Sequence, residues 1–231
     1  MMRQFLYSLF VAACLSLSLW ARPVTTVTSG VNAATRPGVA TMPKQCKPGK
    51  TSPEALGWRW RPGTLVRVYY LRNNFSETER EALTRSVNGW NNALRGIGSS
   101  IVLTVGGERD GVAQNNASIT VMRGIPRGRE RVGEIKYYSL SNGVVRMTVT
   151  IGPAVTDPSA LTSLMTHELG HSLGLADCYE CRRGTTAMAA FRSDNRGNDV
   201  YEPSECDIFV VASAYASETG AQANIIPIEQ R

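Results

Sequence analysis

The stretch His167-Glu168-Leu169-Gly170-His171-Ser172-Leu173-Gly174-Leu175-Ala176-Asp177 decides how the rest of this chain is read. Residues four apart on a helix lie one turn apart and about 40° apart around its axis, so His167 and His171 present their imidazoles in one direction. Two imidazoles placed this way can hold one metal ion, and Glu168 reaches the open side of that ion. A carboxylate there can take a proton from metal-activated water and pass it to a leaving amine. The chain has only two histidines. For both to fall four apart by accident, with Glu after the first, has odds on the order of one in two thousand.

Zinc needs at least three protein ligands, and no third histidine exists. Gly174, three residues beyond His171, can take a left-handed conformation and end the helix sharply. The chain then folds back, and Asp177 arrives three residues later as the third ligand. A carboxylate oxygen serves zinc well. Cys178, Glu180, Glu202 and Glu205 are the rival donors, and none of them has the helix-glycine-turn geometry in its favour.

Working outward, Asp157-Pro158-Ser159 opens the motif helix, with Asp157 as cap and Pro158 at the first helical position. Leu161, Leu164, Met165 and Leu169 supply its apolar face. Further upstream, Leu65 to Leu71 is β-rich and follows Pro62-Gly63, which predicts a first strand. Ser76-Glu77-Thr78-Glu79 is a capping box, followed by Leu83, Val87, Trp90 and Leu94 at helical spacing. Gly96 and Gly98 end that helix. Ile101 to Val105, Ile119 to Met122, Val132 to Tyr138 and Val144 to Ile151 are predicted as strands, with Ser141-Asn142-Gly143 as the turn between the last two. Asp207 to Tyr215 closes the domain as a helix. The expected fold is an α/β sandwich with a mixed twisted sheet, two major helices and a C-terminal helix.

Composition sets the surroundings. The 231 residues are 42% hydrophobic and 19% charged, which suits one soluble domain with its own core. Arg3, the apolar run Phe5 to Trp20 and Ala21 read as an export signal over residues 1–21. Val11-Ala12-Ala13-Cys14 offers a competing lipoprotein cleavage box, with anchoring at Cys14. Residues 22–57 are rich in Thr, Pro, Gly, Ser and Lys and read as a flexible arm or short pro-segment. The domain is expected over 58–218, with a tail at 219–231 and a monomeric state. A net charge of +6 without Lys/Arg runs gives no footing for nucleic acid. Cys46, Cys178, Cys181 and Cys206 remain after removal of the leader. In an exported chain they imply two disulfides, with three connectivities open. Gly106-Gly107-Glu108-Arg109-Asp110-Gly111 is expected as a polar connection, with weak potential for calcium.

The pattern His-Glu-x-x-His-x-x-Gly-x-x-Asp resembles the metzincin zinc-binding signature in the aspartate-ended form of snapalysin. Thr185-Thr186-Ala187-Met188-Ala189 matches the methionine turn that metzincins place beneath the metal, so Met188 is carried over to that role. The element order from Leu65 onward is similar to a matrixin-type catalytic domain. The resemblance implies a secreted zinc endopeptidase acting on proteins or peptides, with Glu168 as general base and His167, His171 and Asp177 on one zinc ion. It also implies that Val132 to Tyr138 is the edge strand that pairs with substrate, and that the loop from Phe191 to Tyr201 walls the pocket after the cut. Phe191 stands near where some metzincins have a tyrosine, and no histidines remain for a second zinc. Cys46 in Pro43-Lys44-Gln45-Cys46 faintly resembles a metal-blocking cysteine of a matrixin pro-segment, against the simpler reading as a disulfide partner. A catalytically silent zincin-fold binding module is the other function class.

Overall fold

Leu-Val-Arg-Val-Tyr-Tyr-Leu forms β1 (Leu65–Leu71), and its alternate residues Val66, Val68 and Tyr70 are buried. The structure, a computed structural model, describes residues 42–128, 131–140, 143–190 and 199–215, all within one unit spanning Val39–Arg231. The expected leader, Cys14, Phe191 and the C-terminal tail lie outside the described residues.

After β1 the chain enters α1 (Glu77–Gly96), whose capping box is present in full: Ser76 N–H donates to Glu79 Oε2 at 2.8 Å, and Glu79 N–H to Ser76 Oγ at 3.3 Å. Then follow β2 (Val102–Arg109), β3 (Ser118–Arg123), β4 (Gly133–Leu140), β5 (Gly143–Ile151), α2 (Pro158–Ser172) and α3 (Glu205–Tyr215). The sheet order is β2-β1-β3-β5-β4, with β1, β2, β3 and β5 parallel and β4 antiparallel to β5. This is an α/β fold with a mixed five-stranded sheet and three helices. One core joins Val66, Val68, Ile119, Val121, Met147 and Val149 of the sheet to Leu83, Val87, Trp90, Leu161, Leu164 and Met165 of the two long helices.

Three differences from the expected elements have local causes. β2 runs four residues past Val105, so the Gly106–Arg109 stretch expected as a connection is strand. The register steps from Val68↔Val105 to Tyr69↔Gly107, leaving Gly106 as a bulge residue beneath the Tyr69 ring, where a Cβ would overlap the ring. Glycine lets the strand pass there and continue. Beyond the bulge, Glu108 pairs with Arg80 at 3.1 Å and Asp110 with Arg72 at 3.2 Å, so the acids weighed for calcium already face arginines. The closing helix begins two residues early. Ser204 and Asp207 cap it reciprocally, through Ser204 N–H to Asp207 Oδ2 at 2.8 Å and Asp207 N–H to Ser204 Oγ at 3.2 Å.

The third difference concerns residues 42–57, read from composition as arm. Their few apolar side chains gave no periodic signal, yet long-range bonds hold them to the domain. Cys46 joins Cys206 in a disulfide, and Gln45 donates to Glu205 at 2.8 Å. Ala55 bridges Leu175, with Leu56 N–H to Gly174 O at 2.7 Å and Ala176 N–H to Glu54 O at 2.8 Å.

Candidate metal centre

The site begins with the helix that carries both histidines. Asp157 caps α2 by accepting from Ala160 N–H at 2.8 Å, with Pro158 in the first turn. α2 is buried on nearly every side, locked to α1 by Trp90 Nε1–H to Thr166 O at 2.8 Å and Ser86 Oγ–H to Thr162 O at 2.7 Å. Glycine at 170 is needed for packing, because a Cβ there would overlap Met188 Sδ.

Gly174 ends the helix at φ +90°, a conformation that costs a side chain strain. A Cβ would also strike Trp58 O. The chain turns, pairs with residues 54–56, and delivers Asp177 back across the end of α2. Asp177 Oδ1 then lies 3.1 Å from His167 Nε2 and 3.4 Å from His171 Nε2.

The hydrogen bonds on the far sides of the rings fix what those contacts mean. His167 Nδ1 is 2.8 Å from Ala187 O, and His171 Nδ1 is 2.8 Å from Leu175 O. A carbonyl only accepts, so both Nδ1 atoms carry protons. When the rings are neutral, their Nε2 lone pairs face a carboxylate oxygen, an arrangement that needs a cation between them. Tetrahedral zinc with ligands at roughly 2.0–2.2 Å sets its donors about 3.3 Å apart, close to both separations. The donor set of two imidazoles and one carboxylate fits zinc.

Without a metal, a proton answers the same demand. Burial pulls the His171 pKa down, but the Asp177 hydrogen bond and the charges of Glu168 and Asp177 outweigh it and hold it above the ordinary imidazole value. Burial would raise the Asp177 carboxyl, but hydrogen bonds from His167 and His171 prevail and hold it well below the usual range.

Glu168 points into the same cavity and is only 3% exposed. Burial is the main cause that pushes its pKa up. Its Oε2 has no hydrogen-bond partner among the described residues, and Gly133 comes so close that a Cβ there would overlap Oε1. A buried carboxylate oxygen without a donor is costly unless a ligand or water supplies one. His167, Glu168, His171 and Asp177 line one cleft of about 420 Å³ together with Leu56, Arg131, Ile135 and Tyr137.

Met188 is fully buried below α2, and its carbonyl accepts from Cys178 N–H at 2.7 Å. Its sulfur packs against Gly170 and stays out of the cleft lining. The rival ligands fall elsewhere. Cys178 is bonded to Cys181, and Glu205 accepts from Gln45. Among the described residues, the one group of three or more His, Cys, Asp or Glu able to share an ion is His167, His171 and Asp177. The disulfides are thus Cys46–Cys206 and Cys178–Cys181, one of the three open connectivities, and Cys46 is tied to α3.

Four contributors escaped the sequence reading. Tyr179 donates to Asp177 Oδ2 at 3.3 Å, and its place two residues after Asp177 was the available clue. Tyr137 reaches from β4 to His171 O at 3.4 Å. Burial and then the nearby Glu168 and Asp177 charges push its phenol pKa far up, so it stays a donor. Gly133 makes room for Glu168, and Asp207 anchors the methionine turn. Neither of these carries a local signal.

No protein family profile matches this chain, and no curated protein matches it. Among solved structures it is similar to metalloproteinase-II from Bacteroides fragilis, with a TM-score of 0.43 and 12% sequence identity over 73% of this chain. The match spans 58% of that protein's length.

Proposed function

We propose that this protein is an exported zinc-dependent endopeptidase of the metzincin type, in which His167, His171 and Asp177 hold the metal and Glu168 is the general base. One observation carries the reading: two Nε2 lone pairs and Asp177 Oδ1 converge beside the unpartnered, buried carboxylate oxygen of Glu168. When bound, the zinc supplies a Lewis acid that polarises the scissile carbonyl and lowers the pKa of water.

The chain's own groups do the rest. Glu168 removes a proton from the attacking water and delivers it to the leaving amine. The cleft walls keep bulk water from the carboxylate. β4 lies at the sheet edge directly above, with Ile135 and Tyr137 in the lining. Its outer edge offers backbone groups to an extended peptide, which would hold a substrate by main chain rather than by sequence. Aspartate as third ligand offsets one of zinc's two charges, so the water it activates is expected to be less acidic than in a three-histidine site. Two disulfides in a chain with an export-like leader support an oxidising compartment.

A silent zincin module would use the same donors, but it has no use for a buried, unpartnered Glu168. Casein cleavage by wild type and Glu168→Ala, with and without chelator, separates the two. The expected result is zinc in both proteins and cleavage by wild type alone. Zinc-loaded wild type that leaves casein and gelatin intact would sink the peptidase reading.

A further inference from the structure

Arg131 lines the cleft, is solvent-exposed, and pairs with no carboxylate among the described residues. Its stem packs along Gly128, which sits at φ +105°, so the side chain leaves the backbone from a braced position. It lines the same cleft as Glu168 and Tyr179.

The other charges lining the cleft are spoken for. Glu134 is 3.5 Å from Lys136 Nζ and accepts from Arg127 N–H at 3.0 Å. Glu168 and Asp177 together balance a divalent cation. Among the described lining residues, Arg131 is therefore the surplus charge once a divalent cation is bound. It precedes by two residues Gly133, whose backbone touches Glu168, so it begins about 7 Å of extended chain from the general base. A long guanidinium side chain reaches back across that distance.

We infer that Arg131 is a specificity-determining residue that selects peptides carrying an acidic side chain within a few residues of the cut bond. The inference rests on the peptidase reading and adds its substrate class. The apolar lining from Leu56, Ile135, Ala176 and Ala190 takes aliphatic groups, and among the described lining residues Arg131 is the guanidinium available for a carboxylate fork. On a substrate strand antiparallel to β4, the acid falls on the C-terminal side of the cut, facing the start of β4.

The test uses zinc-loaded full-length protein and quenched-fluorescence peptides in Glu/Gln/Lys triplets at each of three positions on either side of the cut. Wild type is expected to favour Glu over Gln by about tenfold in kcat/KM at one or two adjacent positions, the effect of one charge-assisted hydrogen bond. The preference should shrink in high salt. Arg131→Gln should erase the preference, and Arg131→Glu should turn it towards Lys, with circular dichroism and zinc content checking the fold. Cleavage with no Glu preference, or a preference that survives Arg131→Glu, overturns the inference and leaves the peptidase reading standing. A wild type that cleaves none of the peptides overturns both.

Discussion

Asp207 and His167 grip the same residue from opposite sides. Ala187 N–H donates to Asp207 Oδ2 at 2.8 Å, and Ala187 O accepts from His167 Nδ1 at 2.8 Å. Asp207 also accepts from the Thr186 hydroxyl and from Ser204 N–H and Oγ–H; Asp207 and Thr186 are fully buried and Ser204 is half-buried. The start of α3 thereby sets the turn that aims the His167 ring. Asp207→Ala would leave several buried donors unmatched, at about 1–3 kcal/mol each. Expected outcomes are a loss of roughly 3–5 kcal/mol in urea unfolding and a ten- to hundredfold drop in zinc affinity by competition with a chelating dye. Unchanged zinc affinity in a folded variant would disprove the relay.

Glu168→Gln keeps the shape and removes the proposed base. Activity should fall about 10²- to 10⁴-fold while zinc is retained. The metal-free protein should behave in the opposite sense. Burial holds the Glu168 carboxyl above its unfolded value, so between those two values the folded chain carries a proton that the unfolded chain has lost. Stability must therefore fall as pH rises through that window. Glu168→Gln should flatten this fall in denaturant titrations from pH 4 to 8, and an unchanged slope would count against the assigned shift.

His171 gives a second titration, coupled to that of Glu168 through their charges. Its raised pKa means that its stabilising proton is fully present below the unfolded imidazole value and is lost as pH rises through the folded one. In metal-free protein, NMR should place His171 above the ordinary imidazole midpoint, and Asp177→Asn should bring it down by removing the carboxylate charge. If the protein is the proposed zinc enzyme, Asp177→His should move the acidic limb of its activity profile downward. A fixed limb would speak against Asp177 as a ligand.

Gly174→Ala tests the turn. It places a side chain at φ +90° and against Trp58 O, so a loss of at least about 1–2 kcal/mol is expected by thermal unfolding. Displacing that turn also displaces Asp177, so zinc affinity should fall with stability. A variant that loses stability alone would separate turn from ligand.

Removing the Cys46–Cys206 disulfide tests the strap over residues 42–57. The bond closes a separation of 160 residues. Cys46→Ala with Cys206→Ala should cost about 2–5 kcal/mol. Limited proteolysis should then cut within the strap, and unchanged protection would show that the Leu175 and Gly174 pairings suffice without it.

How much of this was written locally can be followed residue by residue. The ranges of β1 and α2 and both N-caps were legible, because strand alternation, capping boxes and an i, i+4 histidine pair are properties of neighbouring residues. Gly174 was legible as a helix end for the same reason. The sequence also put two imidazoles and a carboxylate within reach of one point. Tertiary structure alone decided that both imidazole Nδ1 atoms meet carbonyls, that Gly133 from β4 leaves room for Glu168, and that Asp207 holds the turn over Met188. Those partners lie 20 or more residues apart, apart from the Leu175 carbonyl. Their meeting depends on how the sheet order and the core of α1 and α2 fold the chain, and no local pattern encodes that. The strap at 42–57 escaped for the same reason: its order comes from a disulfide and backbone pairing to distant residues, and its composition alone resembles a linker.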